Sequence, residues 1–151
     1  MRIALRPARA EDFDYCRRLY FAEMKRIIEQ LGLNRASQEA SFQEQWEVTQ
    51  VRIITLDDCD IGWLQSVPQE DVLFIAQLFV GGLFQRRGIG TEVMNRLIAE
   101  ATRANQAVCL NVVKVNPAVR LYQRLGFRVV HEDERKFYMT RDPDVTTSVS
   151  K

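Results

Sequence analysis

A chain of 151 residues fits one compact domain with a substantial core and leaves little room for a second. Its 46% hydrophobic and 27% charged residues are ordinary for a globular protein and exclude a disordered or fibrous class. Lys plus Arg number 21 against 20 Asp plus Glu, a net charge of +1 with no long run of either sign, so nothing points to nucleic acid as a partner.

Arg2 to Arg6 alternates polar and apolar around Ile3 and Leu5 and then meets Pro7, which predicts a short first strand ending in a turn. From Glu11 onward Phe13, Cys16, Tyr20, Met24, Ile27 and Leu31 recur at three and four residues. Acidic Glu11, Asp12 and Asp14 stand at the positive end and Gly32 follows the last, the pattern of an amphipathic helix. Ser37 to Trp46 is weakly helical, with Ser37 and Ser41 as candidate caps and Phe42 and Trp46 four apart. Val51 to Leu56 and Ile61 to Val67 read as a hairpin around the polar turn Asp57-Asp58-Cys59-Asp60, with Pro68 to Asp71 as the next turn.

Val72 to Val80 is nearly all apolar, as expected of a central strand covered on both faces. After Gly88 and Gly90, an apolar stripe of Val93, Met94, Leu97, Ile98 and Ala101 predicts a second long helix. Ala107 to Val115 is a further strand. Asn116 and Pro117 then offer an N-cap and a first helical position, and Gly126 closes that helix. Phe127 to His131 and Lys136 to Thr140 form a closing strand pair, and Asp142 to Lys151 is polar without periodicity and is expected to fray. Strand, glycine turn, helix and strand make a crossover unit, so the fold class is α/β with a mixed sheet that contains parallel neighbours.

Cys16, Cys59 and Cys109 are odd in number and widely spaced, and the chain has one histidine, so neither a disulfide framework nor a zinc cluster fits and no metal is expected. His131 has no carboxylate or cysteine at ligand spacing and receives no role. No apolar run approaches the ~20 residues of a membrane span, and the first residues lack the apolar core of a signal peptide. A cytoplasmic protein without membrane partners is the expectation.

Chemistry concentrates in Gln85-Arg86-Arg87-Gly88-Ile89-Gly90-Thr91, between a buried strand and a helix. Backbone N–H groups at a helix start face an anion. Glycines permit close approach, and Arg86 and Arg87 add charge-assisted contacts, so a phosphate or pyrophosphate is the natural ligand. A P-loop requires Gly-Lys-Ser/Thr and a dinucleotide fingerprint requires a third glycine after Gly90; neither is present. A plain tight turn into a helix would also use these glycines.

The Gln-x-x-Gly-x-Gly sequence after an apolar strand resembles the coenzyme A signature of the GNAT superfamily of N-acetyltransferases. Asn116-Pro-Ala-Val-Arg-Leu-Tyr122-Gln-Arg-Leu-Gly-Phe127 resembles its second signature. The resemblance runs from Ile3 to about Thr140 and is weakest between Leu33 and Trp46. It implies one acyltransferase domain over 1–141 and a tail over 142–151. It also implies a mixed, mostly antiparallel sheet of six or seven strands flanked by about four helices and splayed between two central parallel strands.

The resemblance further implies acetyl-CoA as cosubstrate. Leu78, Phe79 and Val80 would offer main-chain groups to pantetheine, Gln85 would open the loop, and Arg86, Arg87, Gly88, Ile89, Gly90 and Thr91 would hold the pyrophosphate, with Asn116 near the cofactor arm. Gly81-Gly82 stands where many members have a proline, which implies a more flexible approach to the cradle. An amine attacks a thioester only as the free base, and a lysine amine has an unperturbed pKa of ~10.4, so deprotonation needs help. Glu23 on the first helix is the candidate base, and a solvated surface glutamate is its plainer reading. Tyr122 matches the tyrosine that many members place beside the thioester sulfur and is the candidate acid, although it also shares ordinary core spacing with Ala118 and Leu125.

Trp63 and Tyr138 are candidate liners of the acceptor pocket, as large aromatics that otherwise fill cores. The acceptor is expected to be a small-molecule or peptide amine, and a homodimer through edge strands stays open. The competing accounts are a non-catalytic acyl-CoA-binding module and a nucleotide-binding regulatory domain on the same crossover unit.

Overall fold

The computed structural model describes residues 2–144. Seven strands form one sheet in the order β1-β2-β3-β4-β5-β7-β6. The strands are β1 Ile3–Pro7, β2 Val51–Leu56, β3 Cys59–Pro68, β4 Val72–Val80, β5 Ala107–Val113, β6 Arg128–Glu132 and β7 Lys136–Arg141. Four helices accompany them: α1 Phe13–Gln30, α2 Arg35–Gln45, α3 Ile89–Arg103 and α4 Ala118–Arg124. Pairing is antiparallel for β1 with β2, β2 with β3, β5 with β7 and β6 with β7, and parallel for β4 with β5. The parallel ladder runs from Val72↔Ala107 to Ile75↔Leu110.

The chain divides into two compact units, Met1–Ser66 with Ala76–Gly90 and Val67–Ile75 with Thr91–Lys151. In the first, the core gathers Cys16, Tyr20, Phe21 and Ile28 of α1, Phe42 of α2, Val51 and Ile53 of β2 and Trp63 of β3. Its rings meet at tilted or edge angles, Phe42 with Trp63 at 5.8 Å and Tyr20 with Phe79 at 5.4 Å between centroids. In the second, α3 buries Val93, Met94, Leu97, Ile98 and Ala101, the predicted stripe, and β5 and β7 bury Val108, Leu110, Val112 and Met139.

Four of the boundaries that differ from the sequence expectation have a local reason. Pro7 belongs to β1, which lies at the edge of the sheet, where a residue without an N–H is tolerated. A 3-10 turn over Ala10–Asp12 precedes α1, and Asp12 accepts from the Arg9 N–H at 2.8 Å and from the Arg6 guanidinium at 3.0 Å. The cap of α2 is Asn34, whose side chain accepts from the Ser37 N–H at 2.9 Å, so the helix starts before Ser37 and neither Ser37 nor Ser41 caps it. Finally, the β2–β3 turn is the pair Asp57 and Asp58, both at positive φ (49° and 71°), so Cys59 already lies in β3. Aspartate tolerates this left-handed conformation, which a two-residue hairpin turn requires.

The predicted helix closures do occur, with Gly32 at φ 65° after α1 and Gly126 at φ 94° after α4. Beyond β7, Asp142 pairs with Arg128 at 3.1 Å and Asp144 with Arg141 at 2.9 Å, and the rest of the expected tail lies outside the described residues.

Candidate active site

In the first unit the site is built on an irregularity in β3. The β2–β3 register steps from Ile54↔Gly62 to Thr55↔Asp60, leaving Ile61 as an extra residue in a bulge. The Ile61 carbonyl accepts from the Gly81 N–H at 2.7 Å, which ties the exit of β4 to the bulge. Beside it, a Cβ on Gly62 would lie 2.2 Å from the Phe79 carbonyl oxygen, so only glycine lets β4 come this close. Sequence reading passes over Gly62, and the available signal is an isolated glycine inside an otherwise apolar strand.

From Gly81 the chain makes a 3-10 turn over Gly82–Phe84, with Phe84 N–H on the Gly81 carbonyl at 2.9 Å. Gly81 itself has φ −58°, a value that proline also adopts, but its N–H is engaged, so a proline here would lose that bond. Arg86 (φ 63°) and Gly88 (φ 79°) then turn the backbone left-handed twice before α3 begins at the buried Ile89. A Cβ on Gly88 would meet nothing within 4 Å, so this glycine serves its backbone angle and not a crowded approach.

Arg86 and Arg87 are exposed, and neither forms an ion pair among the described residues; the Arg87 guanidinium lies 5.7 Å from the centre of the Phe84 ring. Two open guanidinium groups at the start of a 15-residue helix fit a doubly charged phosphate group.

Glu23 of α1 comes to the same loop. Gln85 Nε2 donates to Glu23 Oε1 and, at 2.8 Å, to the carbonyl of Val80, the last residue of β4. Glu23 is half-buried and follows Tyr20 and precedes Ile27, both buried, so the packed side of α1 fixes its backbone. Leu78, Phe79 and Val80 are half-buried. Trp63 is fully buried against Phe42 and Phe79, where it is a core residue and offers no surface for an acceptor.

The second unit holds Thr91, Asn116, Tyr122 and Tyr138. Thr91 lies in the first turn of α3. Asn116 Oδ1 accepts from the Ala118 N–H at 2.9 Å, and Pro117 adopts helical angles, so Asn116 caps α4 as its sequence predicts. Tyr122 meets Phe127 edge-on at 5.9 Å, and burial pushes its phenol above the ordinary value of 10.0. Tyr138 donates its hydroxyl to Asp133 at 2.8 Å, and that carboxyl, held also by the Arg135 and Lys136 N–H groups, sits at about 2.

Among the described residues, no group of three or more His, Cys, Asp or Glu could hold a metal ion, and no helix is long and apolar enough to cross a membrane.

The profile of the acetyltransferase (GNAT) family matches residues 13–127. A stretch of 71 residues is 34% identical to an uncharacterized N-acetyltransferase of Methanocaldococcus jannaschii, covering 46% of this chain and 31% of that protein. The match thus spans about a third of the length of the curated relative. The crystal structure of the PaiA N-acetyltransferase of Thermoplasma acidophilum in complex with coenzyme A superposes with a TM-score of 0.76 at 15% identity, covering 94% of this chain and 99% of that one. An acetyltransferase of Thermus thermophilus does so with a TM-score of 0.72 at 18% identity, covering 94% and 97%. These structures share the fold, with its mixed sheet and its parallel pair β4–β5. With the family profile spanning most of the sequence, this chain belongs to the GNAT family of acetyltransferases.

Proposed function

We propose that the chain transfers the acetyl group of acetyl-CoA to a primary amine of a small molecule or peptide, by direct attack with both substrates bound, as one domain over 1–141 acting in the cytoplasm. The observation that carries this reading is the connection from β4 to α3, where left-handed turns at Arg86 and Gly88 leave two exposed arginines beside a helix start. The loop that Gln85 opens, from Arg86 through Thr91, holds the pyrophosphate of acetyl-CoA. The main chain of Leu78 to Val80 bonds the pantetheine amides as a partner strand would, a role supported by the end of the β4–β5 ladder at Ile75↔Leu110. Asn116 contributes through its side-chain amide nitrogen, because its oxygen is engaged in capping α4.

The amine nitrogen attacks the acetyl carbonyl carbon, the carbon–sulfur bond breaks, and the thiolate leaves. Glu23 accepts the proton that the attacking amine loses. The main-chain N–H of Phe79 or Val80 faces the carbonyl oxygen as its charge develops. Tyr122 donates its proton to the departing sulfur, and its phenol, pushed by burial above an ordinary value of 10.0, carries that proton at neutral pH. Tyr138 borders the acceptor.

The test is release of free thiol from acetyl-CoA by the purified protein across a panel of lysine peptides, N-terminal peptides, polyamines, aminoglycosides and amino acids. Amine-dependent thiol release with matching acetylated product is expected. Binding of acetyl-CoA without release for any amine would favour the non-catalytic module.

A further inference from the structure

The family resemblance gives Gln85 only the opening of the cofactor loop, yet its side chain does something else in the structure. Its amide nitrogen has two hydrogens, and both are committed, one to Glu23 Oε1 on α1 and one to the Val80 carbonyl at 2.8 Å at the end of β4. The residue is exposed and the partners lie 62 and 5 positions away, so this arrangement contributes little burial and joins distant elements. Gln85 also stands directly before the left-handed Arg86, at the entry to the turn that leads into α3.

The consequence for Glu23 is an asymmetric carboxylate. Oε1 accepts from Gln85, while Oε2 turns toward Gly82, 3.9 Å from where a Cβ on that glycine would stand. A glutamate side chain has three rotatable bonds, and without a second contact it would sample many orientations. Holding one oxygen from a neutral amide leaves the charge in place and presents the other oxygen in one direction.

We propose that Gln85 is a positioning residue that aims the Glu23 carboxylate from within the cofactor loop. This rests on Glu23 acting as the base. In the step it serves, an N–H bond of the acceptor's ammonium breaks, the proton bonds to Glu23 Oε2, and the freed electron pair on the neutral nitrogen forms the bond to the acetyl carbon. Because Gln85 belongs to the loop that carries Arg86 and Arg87, a loop ordered around the pyrophosphate also orders the base. Cofactor occupancy and readiness to accept the proton are coupled through one side chain.

The experiment compares Glu23→Gln, Gln85→Leu, Gln85→Lys and the double variant E23Q/Q85L. It measures kcat and KM with the amine that gives the highest turnover, together with acetyl-CoA affinity by calorimetry. Gln85→Leu keeps the shape of the stem and removes both donors, and at an exposed position it leaves folding intact, which the melting temperature checks. The expected result is a kcat lowered ~10-fold, as fits one lost hydrogen bond to a charged group, with a smaller loss of acetyl-CoA affinity from the released Val80 carbonyl. Gln85→Lys restores a donor but sets a cation against the carboxylate, so kcat recovers only in part and the acidic limb of the pH profile moves to lower pH. In the E23Q background, Gln85→Leu then has no further effect, because the group it positions is gone.

Multiplying losses in the double variant would overturn the inference and leave Glu23 as the base. So would a Gln85→Leu protein that loses only acetyl-CoA affinity. A Glu23→Gln enzyme with unchanged kcat would remove the base itself, and the positioning role with it.

Discussion

Two of the connections that run from a strand into a helix, Gly81 to Gly88 ahead of α3 and Lys114 to Pro117 ahead of α4, satisfy their side-chain amides at opposite ranges. Asn116 bonds the Ala118 N–H two residues on, and the helix it starts is closed by a glycine at φ 94°. Gln85 reaches 62 positions back to Glu23, and the backbone around it depends on the Ile61 carbonyl and on the absence of a side chain at Gly62. The start of α4 is therefore local, written in adjacent residues, while Lys114 ahead of it is held from β6 and the turn before β7, by Glu132 at 2.6 Å and the Arg135 carbonyl at 2.8 Å. The α3 connection is held by other elements of its unit, and a change well away from it in sequence can alter it.

The largest expected break of that contrast is Gly62→Ala. A Cβ 2.2 Å from the Phe79 oxygen forces β4 to shift, at a cost of ~3 kcal/mol. Chemical denaturation should show the loss. Acetyl-CoA affinity should fall as well, since Gly81 hangs from the neighbouring Ile61.

On the α4 side, Tyr122→Phe removes a hydroxyl and no packing. It should lower kcat ~10²-fold with acetyl-CoA affinity nearly unchanged. Equal turnover of the two proteins would leave Tyr122 as a packing residue.

A smaller effect is expected at the start of α1, the helix that carries Glu23. The Arg6 guanidinium holds the Asp12 carboxyl below its ordinary 3.8, with the Arg9 N–H assisting. A depressed carboxylate stabilises the fold above the unfolded value and ceases to do so as pH falls through the folded one. Stability should therefore decline as pH drops below 3.8. Asp12→Asn should remove ~1.5 kcal/mol at neutral pH and flatten the decline, as urea titrations across pH can measure. Asn116→Ala should have the smallest effect, ~1 kcal/mol from the lost cap, visible in the melting temperature.

The same difference in range decides what the sequence discloses. The stripe of α3, the cap and closing glycine of α4, the Gly32 stop of α1 and the β2–β3 hairpin depend on neighbours within a few residues, and periodicity or turn chemistry reveals them. The α2 cap falls at Asn34 and escapes a reading by residue type, because Ser37 and Ser41 have equal intrinsic capping tendency and only the turn at Gly32 decides where the helix begins. Gly62 carries a faint signal, whereas the pairing of Gln85 with Glu23 carries none, since two polar residues far apart in sequence have no periodicity to share. Trp63 is legible as a large aromatic but not as a core one, because burial on a strand depends on what packs above it.

The most direct test of the acetyltransferase account is thermal unfolding with and without excess acetyl-CoA, with ATP and NAD as controls. A ligand at ~100 times its dissociation constant adds ~2.7 kcal/mol to stability. The account predicts a clear rise in melting temperature with acetyl-CoA alone. No rise, or a rise with ATP or NAD and none with acetyl-CoA, would contradict it.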